Sequence, residues 1–215
     1  MADAKLTALN DIGAALVSTD IFYVVDDPGG TPLSRKATFA RVSAFVAGKQ
    51  TMWIPAERIY PRTTGGAAPL AYRETNSITY PVIGFDQTTD EGAFFSVAFP
   101  KQWNEGTVTA QAFWTATGGA GGETIELEIS GGCFANDAAI NATGLGTAVA
   151  MTDTWIADGD VHVTAESTAI TLSNAAVDTV AWFLLLRDVS EDTLTDDLAL
   201  IGIKLFYTTD ATNDT

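Results

Sequence analysis

The sequence predicts an all-β fold, a jelly-roll β-sandwich over residues 76–215. Eight or nine short apolar runs follow one another between residues 78 and 208, and clusters of Gly, Asn, Asp and Ser separate them. Helical periods do not interrupt these runs, and several of them alternate apolar and polar residues, as strands with one buried face do. So many strands in one stretch favour a jelly roll, with a barrel or an immunoglobulin-like sandwich as alternatives. A small α+β arm (residues 1–50) and an extended, proline-containing connector (residues 51–75) are predicted to precede this domain.

The arm mixes helical and strand patterns. Apolar residues near its start recur at roughly helical spacing and predict a first helix through Leu6, Leu9, Ile12 and Leu16. The β-branched and aromatic run Ile21–Val25 predicts a strand, which "DDPGG" ends because proline and paired glycines favour a turn. A short helix is predicted next, with Thr38 as its N-cap, Gly48 as its stop, and an apolar face of Phe39, Val42, Phe45 and Val46.

The predicted strand of the arm indicates docking on a partner chain and not a catalytic site. Asp26 and Asp27 follow it directly, and we interpret these two carboxylates as the end of a strand and not as an acid pair. An arm of this size is too small to bury a core of its own. The apolar residues Ile21, Phe22 and Val24 are therefore expected to be buried against a partner chain.

The connector contains three prolines, Pro55, Pro61 and Pro69. Proline fixes one backbone dihedral and cannot donate a hydrogen bond to a sheet, which predicts an extended connector. The segment also carries Trp53 and other large apolar residues that a free linker would not need. We therefore expect it to lie along a protein surface.

Several runs of the predicted sandwich have one buried face. In "TVTAQAFWT", one face comprises Val108, Ala110, Ala112 and Trp114; in "ETIELEIS" it comprises Ile125, Leu127 and Ile129. The run "VAWFLLL" (180–186) is apolar throughout and predicts a central strand that is covered on both sides.

The residue inventory argues against catalysis. His162 is the sole histidine, the motif GxSxG is absent, and the strand-like setting "DVHVT" favours a surface histidine. One histidine and one cysteine cannot build a zinc site, and Cys133 is interpreted as a small buried side chain. The carboxylates of "DVSEDTLTDD" and "DTWIADGD" could ligate Ca²⁺, but solvated turns are favoured because the EF-hand spacing is missing. No enzyme activity, metal or cofactor is predicted.

Two tryptophans in loop-like settings, Trp103 and Trp155, are candidates for stacking on a glycan or anchoring an interface. The alternative is that each caps one end of the sandwich core.

The charge is uneven along the chain, whose net charge is −16. Residues 1–60 carry six basic and six acidic residues, whereas the remainder carries five basic and 21 acidic residues. An acidic body repels nucleic acid and anionic membranes, and neither an 18-residue apolar run nor a secretory signal is apparent. Residues 1–60, the neutral part, are better suited to contact an acidic partner through the basic residues Arg35, Lys36, Arg41 and Lys49. The alternative is that these four are ordinary solvated charges.

The first region resembles a segment near the N-terminus of many tailed-phage virion proteins, among them head fibres, decoration proteins and tail fibres. Its parts are "DIFYVVD" (Asp20–Asp26), the turn Gly29–Ser34, the basic pair Arg35–Lys36, Thr38, and the apolar stretch Phe39–Val46. The stretches "MWIPAERIYPRTTGGAA", "FPKQWNEGTVTAQAFW" and "LIGIKLFYTTDA" look like an uncharacterised type common among marine and freshwater phages.

The resemblance implies a non-enzymatic capsid decoration (cement) protein, made in the bacterial cytoplasm and located on the outer surface of the virion. The arm would attach it to the major capsid protein, the β domain would project outward, and the assembly would be a homotrimer. The alternative is a tail-fibre or adsorption protein that docks on a tail protein and contacts a host glycan. The residues expected to dock are Ile21, Phe22, Val24, Arg35, Lys36, Phe39, Arg41 and Trp53.

Overall fold

The computed structural model describes residues 21–26, 30, 33–38, 41–42, 47–141 and 144–210. The chain forms two compact units, Met1–Gly48 and Lys49–Thr215. In the part of the chain that the structure describes, no helix combines the length and apolar content that a membrane span requires.

The first unit contains an antiparallel hairpin of β1 (Ile21–Asp26) and β2 (Leu33–Thr38). The predicted strand at Ile21–Val25 is confirmed. The sequence did not predict β2, because "LSRKAT" is polar and carries one β-branched residue.

The predicted second helix of the arm is described at two residues. Arg41 and Val42 are helical, and the Arg41 backbone N–H lies 3.4 Å from the Thr38 hydroxyl, as the predicted N-cap requires. The first predicted helix and the residues Phe39, Phe45 and Val46 lie outside the described residues.

The second unit contains eleven strands among its described residues. In chain order they are β3 (Lys49–Pro55), β4 (Tyr60–Pro61), β5 (Ala71–Thr75), β6 (Ile78–Phe85), β7 (Glu91–Val97), β8 (Thr109–Thr115), β9 (Thr124–Phe134), β10 (Val149–Thr154), β11 (His162–Val163), β12 (Val180–Arg187) and β13 (Leu198–Thr208). A single 3-10 turn, Ala56–Arg58, joins β3 to β4.

These strands form two sheets in which every pairing is antiparallel. The five-stranded sheet has the order β10-β9-β12-β7-β4, and the six-stranded sheet has the order β11-β8-β13-β6-β5 with β3 also paired to β13. Consecutive strands lie in different sheets at every step except β5–β6 and β9–β10. The predicted jelly-roll β-sandwich is confirmed.

Strand β13 has two successive partners along one edge. Its first residues pair with β6, with Leu198 opposite Phe85, and its later residues pair with β3, with Gly202 opposite Pro55. A register irregularity between Leu200 and Gly202 marks the change. A bulge of this kind bends a strand and lets it leave one partner for another.

The predicted connector contains most of strand β3 and all of β4 and β5, so this segment is part of the two sheets and not a separate connector. Pro55 is the last residue of β3, and Pro61 ends β4 at the edge of its sheet. Proline is tolerated at these two kinds of position because the missing N–H interrupts no central ladder. Trp53 lies on β3 and is 46% exposed.

The core lies between the two sheets and follows the predicted alternation. The inward residues of β8 and β9 are buried, as predicted from their patterns, and Cys133 is buried as well. In β12 the prediction was half right. The strand is central, between β9 and β7, but Trp182 and Leu184 are only half-buried because they point away from the core.

A buried arginine closes one end of the sandwich. Arg187, the last residue of β12, is fully buried, and the side chain of Asp192 is 2% exposed. The Arg187 guanidinium donates two hydrogen bonds to the Asp192 carboxylate and three to backbone carbonyls of Phe85, Leu194 and Asp196. All five N–H donors therefore have partners, which a buried guanidinium requires.

Candidate functional site on the outer face of the five-stranded sheet

The predicted docking residues divide between the two units. In the first unit, Ile21 is 59% exposed, and Arg35, Lys36 and Arg41 are also exposed. The side chain of Val24 and all of Phe39 lie outside the described residues. The burial of Ile21 against a partner chain stays a prediction, and Trp53 belongs to the sandwich unit.

The two loop tryptophans predicted as glycan contacts are buried, which corrects that prediction. Trp103 is 1% exposed and stacks on Phe99 with a ring-centroid distance of 4.4 Å; Trp155 is 8% exposed. Neither ring offers a free face to a ligand. Both tryptophans belong to the hydrophobic core, as in the alternative that each caps an end of the sandwich.

The prediction of a surface histidine is also wrong. His162 is 6% exposed and stacks on Trp114 at 4.5 Å, since β11 pairs with β8 in a register that places these two residues opposite each other. The flanking Val161 and Val163 are the exposed residues of this segment. The sequence could not show which face of so short a strand points inward.

The structure places another set of aromatic side chains together on the outer face of the five-stranded sheet. Together with two aliphatic side chains they line a concave surface of about 420 Å³, which we call the aromatic hollow: Tyr60, Phe94, Phe134, Ile140, Leu145 and Trp182. The Tyr60 and Phe94 rings stack at 6.3 Å, and the Phe134 ring meets the Trp182 ring edge-on at 5.1 Å. The Trp182 Nε1–H donates a hydrogen bond of 3.0 Å to the Tyr60 hydroxyl.

Strand register explains this grouping. Tyr60 of β4 lies opposite Phe94 of β7, which in turn lies opposite Leu184 of β12. Two residues away on β12, Trp182 points to the same side because side chains alternate across a strand. Trp182 lies opposite Gly132 of β9, which has no side chain to compete for the space.

A second groove, of about 590 Å³, adjoins the aromatic hollow at the edge of the sandwich. The two share Tyr60, which is 46% exposed. The groove has polar groups along its length, including the exposed side chains of Glu57, Arg58 and Ser96. An exposed aromatic ring thus stands between an apolar concave surface and a groove that mixes apolar and polar residues.

The same outer face carries carboxylates near the far ends of β9 and β12. Oxygens of Glu126, Glu128 and Asp188 lie within 4.8 Å of one another. Partial burial, and then the negative charge of Asp188, raise the pKa of Glu126. Hydrogen bonds from Ser190 lower the pKa of Asp188. Such clusters also occur on acidic surfaces without an ion, so this one does not assign a metal.

The sequence did not single out the aromatic hollow. One signal was present: "VAWFLLL" is apolar on both faces, and one face of a strand in an antiparallel sheet commonly points to solvent. An apolar outward face is a candidate surface for binding. The partners Tyr60 and Phe94 come from distant positions, and only strand register brings them to Trp182.

No protein-family model and no curated protein matches this chain. Solved structures with a similar fold include a CBM22-2 xylan-binding domain of Paenibacillus barcinonensis Xyn10C, with 15% identity, a TM-score of 0.44, and coverage of 74% of this chain and 98% of that one. A family 11 carbohydrate-binding module of Clostridium thermocellum, in complex with a β-1,3-1,4-linked tetrasaccharide, shares 11% identity with a TM-score of 0.38 and coverage of 88% and 96%. An arabinose-bound GH51 α-L-arabinofuranosidase shares 14% identity over 74% of this chain, with a TM-score of 0.43.

The chain spans 25% and 28% of the length of two of its enzyme neighbours, the arabinofuranosidase and a Clostridium thermocellum xylanase 10B fragment. At these identities and TM-scores, the neighbours do not indicate a ligand or an activity for this chain.

Proposed function

We propose that this chain is a non-enzymatic structural protein of a tailed-phage virion, and that it decorates the outer capsid surface. In this role the first unit, Met1–Gly48, which we call the hairpin unit, attaches the protein to the major capsid protein. The second, Lys49–Thr215, which we call the sandwich unit, projects outward as an acidic, soluble body. Burial of apolar hairpin residues, at ~25 cal/mol per Å², would strengthen the capsid at each attachment point.

The observation that carries this proposal is the division of the chain into a small hairpin unit and a large sandwich unit. The hairpin unit exposes both an apolar residue, Ile21, and the basic residues Arg35, Lys36 and Arg41. The excess negative charge falls after residue 60, within the sandwich unit. The hairpin unit, Met1–Gly48, carries four basic and five acidic residues and is nearly neutral. A nearly neutral, partly apolar unit attached to an acidic body suits an anchor and its projecting domain.

The number of copies per particle tests the proposal. Densitometry of purified virions on a gel should give a count close to that of the major capsid protein. A count of a few to tens per particle would contradict decoration and would favour the tail-fibre alternative.

A charge-reversal variant tests the attachment surface in the full chain. Arg35→Glu with Lys36→Glu should reduce co-sedimentation with empty capsids, because the acidic partner would then be repelled. Glu74→Lys, on strand β5 of the sandwich unit, changes charge at an exposed site and is the control. Undiminished capsid binding by the double variant would contradict the assigned surface.

A further inference from the structure

We propose that the aromatic hollow and the adjoining groove bind a neutral carbohydrate chain, with Tyr60 and Trp182 as the stacking residues. This inference goes beyond attachment to a particle, because decoration of a capsid needs no small ligand. It also replaces the sequence-based expectation that Trp103 and Trp155 make such contacts.

The chemistry of the hollow matches the two-sided character of a sugar ring. A pyranose presents C–H groups on its faces and hydroxyls at its rim, so it suits an aromatic face next to polar groups. Tyr60 is exposed and contributes to both concave surfaces. Glu57, Arg58 and Ser96 supply donors and acceptors along the groove, within the reach of a bound chain's hydroxyls.

The rings are held in place before any ligand arrives. The hydrogen bond from Trp182 Nε1 to the Tyr60 hydroxyl joins one ring to the other, and Phe94 stacks beneath Tyr60. Each ring therefore loses little rotational freedom when a ligand binds, which favours affinity.

The size and charge of the site define the class of ligand. The hollow, at about 420 Å³, falls within the usual range for small-ligand sites, roughly 300–1,000 Å³. The contiguous groove of about 590 Å³ provides room for further sugar units beyond Tyr60. The carboxylates of Glu126, Glu128 and Asp188 on the same face, and the net charge of −16, disfavour phosphorylated, sulfated or carboxylated sugars.

Affinity electrophoresis of the full chain tests the proposal. Native gels would contain one soluble neutral polysaccharide each: xylan, galactomannan, hydroxyethylcellulose, dextran, or β-1,3-1,4-glucan. We expect at least one of them to retard the protein and Tyr60→Ala to weaken that binding by roughly tenfold or more. Tyr72→Ala removes a comparably exposed tyrosine from the six-stranded sheet, and its migration should match the wild type.

Trp182→Ala should also weaken the retardation, but Trp182 is half-buried and its loss affects packing. Tyr60→Ala, at an exposed position, therefore decides the question if the tryptophan variant unfolds. The proposal would be overturned if none of the polysaccharides slowed the migration of the wild-type protein. It would also be overturned if Tyr60→Ala bound as well as the wild type. If sedimentation shows instead that Tyr60→Ala dissociates an oligomer without affecting sugar binding, the face is a contact between copies and the proposal fails.

Discussion

The two ends of strand β12 use polar side chains in opposite ways. At one end, Arg187 is fully buried and each of its N–H groups has a partner within the fold. At the other end, Trp182 is half-buried, and its single N–H fixes the neighbouring Tyr60 ring at the surface. Only four residues of one strand thus lie between a contact that joins the two sheets and the proposed carbohydrate-binding surface. The comparison predicts a large loss of stability from changes at the arginine end and a small one at the tryptophan end.

The largest expected effect comes from Arg187→Met. This change leaves the buried Asp192 carboxylate without its counter-charge and three carbonyls without their donor. We expect the free energy of unfolding to fall by about 3–5 kcal/mol, measured by urea unfolding at neutral pH. Lys101→Met removes an exposed pair with Asp178 at 3.9 Å and should change stability by less than about 1 kcal/mol. A similar small loss for both variants would contradict the comparison.

Gly131→Ala tests packing on the inner side of the tryptophan end. A Cβ at Gly131 would lie 2.7 Å from Leu172 Cδ2 and 2.9 Å from Phe183 Cδ1, both in the core. Overpacking of this kind costs about 1–3 kcal/mol, and thermal unfolding would show a lower Tm. Gly121→Ala, where no atom lies within 4 Å, is the matched control and should be near neutral. An unchanged Tm for Gly131→Ala would mean that this end of the core is loosely packed.

Trp182→Phe removes the indole donor and keeps an aromatic ring. We expect a loss of about 0.5–1.5 kcal/mol in the free energy of unfolding, because the bond to Tyr60 is partly exposed to water. Tyr60→Phe removes the same bond from the acceptor side. In a double-mutant cycle the two losses should not add, and full additivity would show that the bond contributes nothing to stability.

The smallest expected effect concerns Glu126, beside the arginine end. Because the folded-state pKa of Glu126 is raised, the folded protein binds this proton more readily than the unfolded chain does. The contribution of Glu126 to stability therefore falls as the pH rises through the unfolded and then the folded pKa. Glu126→Gln should raise Tm slightly at pH 7 and leave it unchanged at pH 3, where both residues are neutral.

Glu74→Gln, on the exposed strand β5, is the control for that pH comparison. A higher Tm for Glu126→Gln at pH 3 as well would assign the effect to packing and not to charge.

Local patterns predicted much of the fold. Strand β12 includes the whole run "VAWFLLL", and the inward residues of β8 and β9 alternate as expected. Alternation with a period of two depends on neighbouring residues alone, so it can be read without the fold.

Tertiary contacts account for the predictions that were wrong or missing. Trp103 is buried because Phe99 stacks on it, although its loop setting suggested exposure. The burial of Arg187, at the end of an apolar strand, could not be predicted from the sequence. Its guanidinium is satisfied by five acceptor atoms, backbone carbonyls and one carboxylate, that belong to other segments of the chain. The aromatic hollow likewise depends on the pairing of β4 with β7. A strand of two residues has no sequence pattern from which this pairing could be predicted.

The change of partner along β13 affects how the sandwich unit can form during synthesis. Strand β3, the first strand of the unit, pairs with β13, its last, and β13 also supplies the partner for β6 and β8. Most of the six-stranded sheet must therefore wait until β13 has left the ribosome. Contacts between such distant positions slow folding and leave β3, β6 and β8 with unsatisfied edges in the meantime. Until the last strand arrives, those open edges are the part of the unit most prone to pair with another chain.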